Sequence, residues 1–144
     1  MKFLVWSIIF LLLPSTGFSQ DDSTWDKLFK IDYRVIEDYD EYGDLWLPDF
    51  HEDVKALEGK EVILPGYIYP WEQTPTAREI LFSAYPLHAC FFCGVGGPET
   101  VAAVKFKEPV SYTANYIKIK GKLQLNESDP NEMMYIVVDA EIVE

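Results

Sequence analysis

Between Lys60 and Glu144 the chain is written almost entirely in short β-branched and aromatic runs parted by turn residues, and this limits the folds open to it more than any other feature. Five runs stand out: Glu61 to Tyr69, Glu79 to Tyr85, Thr100 to Lys107, Tyr116 to Leu125 and Met134 to Ile142. The fourth shows the geometry best. Across Tyr116-Ile117-Lys118-Ile119-Lys120, apolar and basic residues alternate; a period of two puts one face in a core and the other in water. Pro65-Gly66 inside the first run predicts a bulge or sharp bend, and Gly121 interrupts the fourth. Together these runs predict a mainly β fold, a small five-stranded OB-like barrel over residues 58–144, with a β-sandwich as the alternative.

Residues 20–57 predict a different texture, a short helical and acidic lead-in to the barrel. Ser23-Thr24 is suited to cap a helix that buries Trp25, Leu28 and Phe29 on one face. Tyr33 and Val35 alternate with polar neighbours as in an edge strand. Gly43 and Pro48 punctuate the next stretch. His51 to Leu57 reads as a turn or two of helix, started by Asp49 and stopped near Gly59.

The first nineteen residues form an address. Lys2, an apolar run from Phe3 to Leu13, then Pro14 and the small-residue stretch to Ser19 match the order of a secretory signal peptide. Cleavage is expected after Ser19, giving a periplasmic or secreted protein that begins at Gln20. The apolar run is too short to cross about 30 Å of hydrocarbon as a helix, and no later stretch is apolar enough to span a bilayer. No cysteine lies just after the cleavage position, which argues against lipid anchoring.

Charge excludes a class of partner. The 144 residues carry a net charge of -12, and nucleic-acid binding needs the reverse, because phosphate contacts are made by Lys and Arg. Acids crowd the stretch from Asp21 to Asp53, against only Lys27, Lys30 and Arg34. Such a run either solvates the surface or forms an acidic collar that gathers cations or docks a basic partner. It is not a calcium loop, since Asp38, Asp40 and Asp44 lack EF-hand spacing and the closing Glu. Lys118, Lys120 and Lys122 form a single basic stripe, read as an exposed sheet face. The aromatics Tyr67, Tyr69, Trp71, Tyr85, Phe91 and Phe92 are read as core packing and a rim around the cysteine loop, with a stacking platform as the alternative. Asn126-Glu127-Ser128 is a formal glycosylation acceptor.

Chemistry concentrates in one window. Of two cysteines and two histidines, three fall in His88-Ala89-Cys90-Phe91-Phe92-Cys93, with Gly94 next. Cys-x-x-Cys-Gly is the shape of a metal knuckle, in which a tight turn aims both sulfurs at one ion and glycine lets the backbone curl beneath it. Zinc is the leading metal and Cu(I) the next. Cys90, Cys93 and His88 are the candidate ligands, with His51, Glu99, Asp139 or water as the fourth. Two other readings stay open: a Cys90–Cys93 disulfide, which export permits, and a catalytic dithiol, which normally opens a helix rather than sitting between strands. Haem attachment is excluded by Gly94, where histidine would be needed. No nucleophile triad, HExxH, phosphate loop or carboxylate pair stands out, so the sequence favours a non-enzymatic protein.

The segments Leu57-Glu58-Gly59-Lys60-Glu61-Val62 with Gly66-Tyr67, and Ala89-Cys90-Phe91-Phe92-Cys93-Gly94, resemble those of an uncharacterised family of exported bacterial proteins, a domain of unknown function. The resemblance spans roughly residues 45–142. It implies the barrel, an envelope or ABC-type transporter component as a partner, and mild support for metal binding.

Overall fold

The computed structural model describes residues 24–69, 75–91 and 94–143. The expected signal peptide and its cleavage position, together with Trp71, Phe92 and Cys93, lie outside the described residues. Two short α-helices and seven strands run in the order α1 (Thr24–Leu28), β1 (Ile31–Asp40), β2 (Gly43–Phe50), α2 (Glu52–Lys55), β3 (Glu61–Tyr69), β4 (Thr76–Ser83), β5 (Val101–Ser111), β6 (Ile117–Leu125) and β7 (Tyr135–Val143). Among the described residues, no helix is long and apolar enough to cross a membrane.

The expected barrel is present and closed, in the order β3-β4-β5-β7-β6. Closure depends on β3 serving two neighbours. Its first part pairs with β6, from Glu61↔Lys122 to Gly66↔Ile117, and its last three residues pair with β4, from Tyr67↔Ser83 to Tyr69↔Leu81. The β5–β7 pair is parallel and the other barrel pairs are antiparallel. This joins the third and fifth barrel strands side by side, as a five-stranded Greek-key barrel of the OB type requires, and removes the sandwich.

The alternation read from sequence sets what the barrel holds. Val62, Leu64 and Ile68 point inward from β3, Ile80 and Phe82 from β4, Val104 and Phe106 from β5, Ile119 and Leu123 from β6, and Tyr135 and Val137 from β7. The lead-in closes this core from one side. Trp25 and Leu28 of α1, Phe50 of β2 and Val54 of α2 all join it, with Leu28 and Val54 fully buried. Each such side chain contributes about 1.5–3 kcal/mol by leaving water. Two long-range hydrogen bonds fix α1 in place: Trp25 Nε1 donates to the Pro65 carbonyl at 2.7 Å, and Tyr135 Oη donates to the Leu28 carbonyl at 2.6 Å.

Three readings are refined. Of the bulge or sharp bend expected at Pro65-Gly66, the bulge is absent, since pairing of β3 with β6 is unbroken there, and β3 changes neighbour from β6 to β4 directly after Gly66. Gly66 is needed for proximity instead, because a Cβ would strike the Ser83 carbonyl and the Phe82 ring. A register shift falls between Lys120 and Lys122, around Gly121, where the facing β7 holds Asp139 at a φ of 52°. Second, Asp49 does not start α2. It lies within β2, and the helix is capped at its N-terminus by His51 without a side-chain bond. Third, the edge strand read at Tyr33 and Val35 is present as β1, and it forms one arm of a hairpin. β1 pairs antiparallel with β2, Val35 facing Trp46 and Tyr33 facing Pro48, so the proline read as punctuation is inside a strand. A two-stranded ribbon accommodates it because both edges are free of a third strand.

Candidate functional site

The cysteine loop leaves β4 at Ser83 and returns through Thr100 into β5. Its base is tied by Ala84 N–H donating to the Thr100 carbonyl at 2.9 Å. A 3-10 turn over Leu87–Ala89 comes after Pro86 and carries His88 outward, exposed to solvent. The chain then extends, and Cys90 turns inward: it is fully buried, and its Sγ donates to the Leu87 carbonyl at 3.2 Å. Gly94 closes a further turn, its N–H reaching the Phe91 carbonyl at 2.9 Å with φ at +80°, a conformation that favours glycine. A second 3-10 turn over Pro98–Thr100 is locked by Thr100 Oγ1 donating to the Gly97 carbonyl at 2.7 Å. Tyr85 at the loop's start stacks on Phe29, which stacks on Trp25, so the loop rests against α1.

The sequence-predicted ligands are spread out. His88 and Cys90 share the loop, one in solvent and one in the core. Cys93 lies outside the described residues. His51, at the base of the hairpin, has its Nε2 at 3.0 Å from Asp32 Oδ2. Of the other fourth-ligand candidates, Glu99 accepts the Tyr33 hydroxyl at 3.2 Å, and Asp139 pairs with Lys122 at 3.6 Å. Among the described residues no three His, Cys, Asp or Glu side chains gather where they could hold a metal. Burial, reinforced by the neighbouring Glu99 carboxylate, holds the Tyr33 phenol well above its ordinary pKa, and burial does the same for Tyr135.

Among the described residues, Tyr67 and Tyr85 make their ring contacts with different partners. Tyr67 meets Tyr116 edge-on at 5.3 Å, while Tyr85 faces Phe29. The lysine stripe is largely neutralised across strands. Lys120 reaches Glu141 at 3.2 Å and Glu61 at 3.9 Å, and Lys122 reaches Asp139. Asn126 is committed to its own loop: Nδ2 donates to the carbonyls of Asp129 and Glu132, and Oδ1 accepts from the backbone of Ser128 and Asp129. A glycan on that nitrogen would leave it one N–H for the first pair.

The surface that sequence reasoning missed is the outer half of the hairpin. Trp46 is 63% exposed, Tyr42 89%, Tyr39 52%, Ile36 42% and Val35 40%. Its root is anchored by Ile31, Leu47 and Phe50 and by Arg34, whose guanidinium donates to the Glu127 carbonyl at 2.8 Å. Between that root and the β6–β7 loop lies a cleft of about 180 Å³ walled by Leu45, Trp46, Leu47, Met133 and Met134, with Asp129 and Glu132 at its border. A partial signal was available: Gly43 sits between Tyr33-Arg34-Val35, which alternates, and the continuous apolar run Leu45-Trp46-Leu47.

No family model and no curated protein matches the chain. Among solved structures it is similar to a DUF3299 family protein from Pseudomonas aeruginosa PAO1, with 24% identity and a TM-score of 0.48. The alignment covers 63% of this chain and spans 66% of that one, just short of two thirds of its length.

Proposed function

We propose that the protein is an exported, non-enzymatic binding module that docks a protein partner in the cell envelope, an ABC-type transporter component being one such partner. The observation that carries this reading is the hairpin's outer half, where Trp46, Tyr42 and Tyr39 stand in solvent on a two-stranded ribbon. Isolated ribbons of this kind are marginally stable in water, and exposed aromatic anchors with charged neighbours are the composition of interface hot spots. The leader supports export, and the negative charge disfavours nucleic acid and anionic lipid as the partner. The test is a photo-crosslinking residue at Tyr42 in the exported chain, with a second at Lys105 on the barrel wall as control. An adduct with one identified envelope protein is expected at position 42 alone, lost in Trp46→Ser with the fold retained. Equal adducts at both positions, or none at 42, would refute it.

A second reading is favoured by the loop turn. Gly94 at a φ of +80°, directly after Cys-x-x-Cys, is the turn a zinc knuckle uses. On this reading Cys90, Cys93 and His88 hold zinc, leaving the fourth position to water or a partner's side chain. Native mass spectrometry of the mature chain, prepared without chelator or reductant, tests it. One zinc, lost in Cys93→Ser, supports the reading; a species lighter by two hydrogens means the disulfide instead.

A further inference from the structure

Two groups of acids in this protein stand in contrast. On the barrel wall, Glu61, Glu79, Glu108, Asp139 and Glu141 each lie within 4.0 Å of a lysine or arginine nitrogen. On the hairpin, Glu37, Asp38, Asp40, Glu41 and Asp44 are all exposed, and among the described residues none forms an ion pair. The one cation within the two strands, Arg34, is turned toward the Glu127 carbonyl at the root. Two of the tip carboxylates are spent on the turn itself: Asp44 Oδ1 accepts the Asp38 N–H at 3.0 Å, and Asp40 Oδ1 accepts the Tyr42 N–H at 2.8 Å. The same ribbon therefore combines unneutralised negative charge with exposed apolar area. At its root is a small cleft with an apolar wall and the further acids Asp129 and Glu132 on its border.

We infer that the occupant of the hairpin is a lysine- and arginine-bearing polypeptide segment that seats an apolar side chain in the cleft between Trp46 and Met133. This rests on the reading of the hairpin as a docking arm. Each part of the surface removes an alternative. An anionic membrane or nucleic acid would meet five like charges. A small polyamine would satisfy the carboxylates and leave Trp46 and Tyr42 wet. An uncharged apolar segment would fill the cleft and leave the acids unmatched, whereas a basic and apolar segment answers both. The approach is steered by charge, so it weakens as salt rises.

The experiment uses the mature full-length chain and four probes: a ten-residue peptide alternating lysine with leucine, its glutamate–leucine counterpart, an all-lysine decamer and spermine. The lysine–leucine peptide is expected to bind at least about tenfold more tightly than the other three, with affinity falling as salt increases. Changing the five hairpin carboxylates to their amides should weaken it about tenfold, as should Trp46→Ser. Changing the five barrel-wall carboxylates, which removes the same formal charge, should alter it less than about twofold. The inference is overturned if the wall variant weakens binding as much as the hairpin variant, or if spermine or the all-lysine decamer binds as well. It is also overturned if the chain dimerises through the hairpin and excludes the peptide. If Trp46→Ser abolishes binding while the hairpin amides do not, the docking arm stands and its basic partner falls. If neither variant has an effect, both fall.

Discussion

The hydroxyl of Tyr135, in the last barrel strand, donates to the carbonyl oxygen of Leu28 at 2.6 Å, joining positions 107 residues apart. Tyr135 is fully buried, with its ring 5.6 Å from that of Phe50, so this bond latches the N-terminal helix onto the barrel from within the core. Tyr135→Phe keeps the ring and leaves the Leu28 carbonyl without its donor. The expected loss is about 1–3 kcal/mol, read from urea unfolding. A change below the error of that measurement would mean that water replaces the phenol and that the latch is ring packing alone.

The same phenol gives the fold an alkaline limit. Tyr135 and Tyr33 are both held protonated beyond the pH at which an unfolded chain would release their protons, near pH 10. Above that point the unfolded state binds fewer protons than the native state, so stability declines with rising pH; below it their contribution is constant. Denaturant midpoints from pH 8 upward should stay level until about pH 10 and then fall. Tyr33→Phe should soften the fall. A midpoint that stays level well above pH 10 would contradict the burial of both groups.

Gly121 and Gly66 predict a steric test. A Cβ on Gly121 would lie 2.7 Å from Val137 Cγ1 and 2.8 Å from the Val138 carbonyl, and one on Gly66 would strike the Ser83 backbone. Gly121→Ala and Gly66→Ala should each cost about 1–3 kcal/mol or more by overpacking. Gly43 is the internal control. It has φ at +115° and nothing within 4 Å of a Cβ, so Gly43→Ala meets backbone strain alone, about 1 kcal/mol. Thermal melts rank the three, and equal losses would mean that conformation, not contact, selects these glycines.

These glycines also show what the sequence could and could not convey. Alternation in Ile117-Lys118-Ile119-Lys120 is a local property, so the strand and its inward face were readable from the order of residues alone. The role of Gly66 depends on Ser83 being brought beside it, a contact that no spacing encodes. The hairpin was hidden for a related reason. Its outer apolar residues stay outside the core, which blurs the in–out alternation, and Pro48 reads as a stop although a free-edged ribbon tolerates it. For the cysteine loop, spacing brought His88 and Cys90 together but carried no information on direction, and one side chain faces solvent while the other is buried.

The two groups of acids should respond to neutralisation with opposite signs. On the barrel wall, Lys120 first and then Lys107 hold Glu141 below the usual carboxylate range. Its stabilising contribution is therefore present at neutral pH and lost as the solution is acidified through its folded-state value. Glu141→Gln should lower the midpoint slightly at pH 7 and have no effect once the wild type is protonated. Among the described residues no cation pairs with Glu37, Asp38, Asp40, Glu41 or Asp44 of the hairpin, and like charges facing or flanking one another cost about 0.2–1 kcal/mol per pair. Changing Glu37 and Glu41 to their amides, which spares the turn-bonding Asp40 and Asp44, should raise the midpoint at low salt. The gain should fade toward 0.5 M salt, as about 4–5 Å screening lengths then isolate the charges. A loss of stability on the hairpin would mean that its acids hold the ribbon together, and their exposure could then no longer be read as a surface kept for a partner.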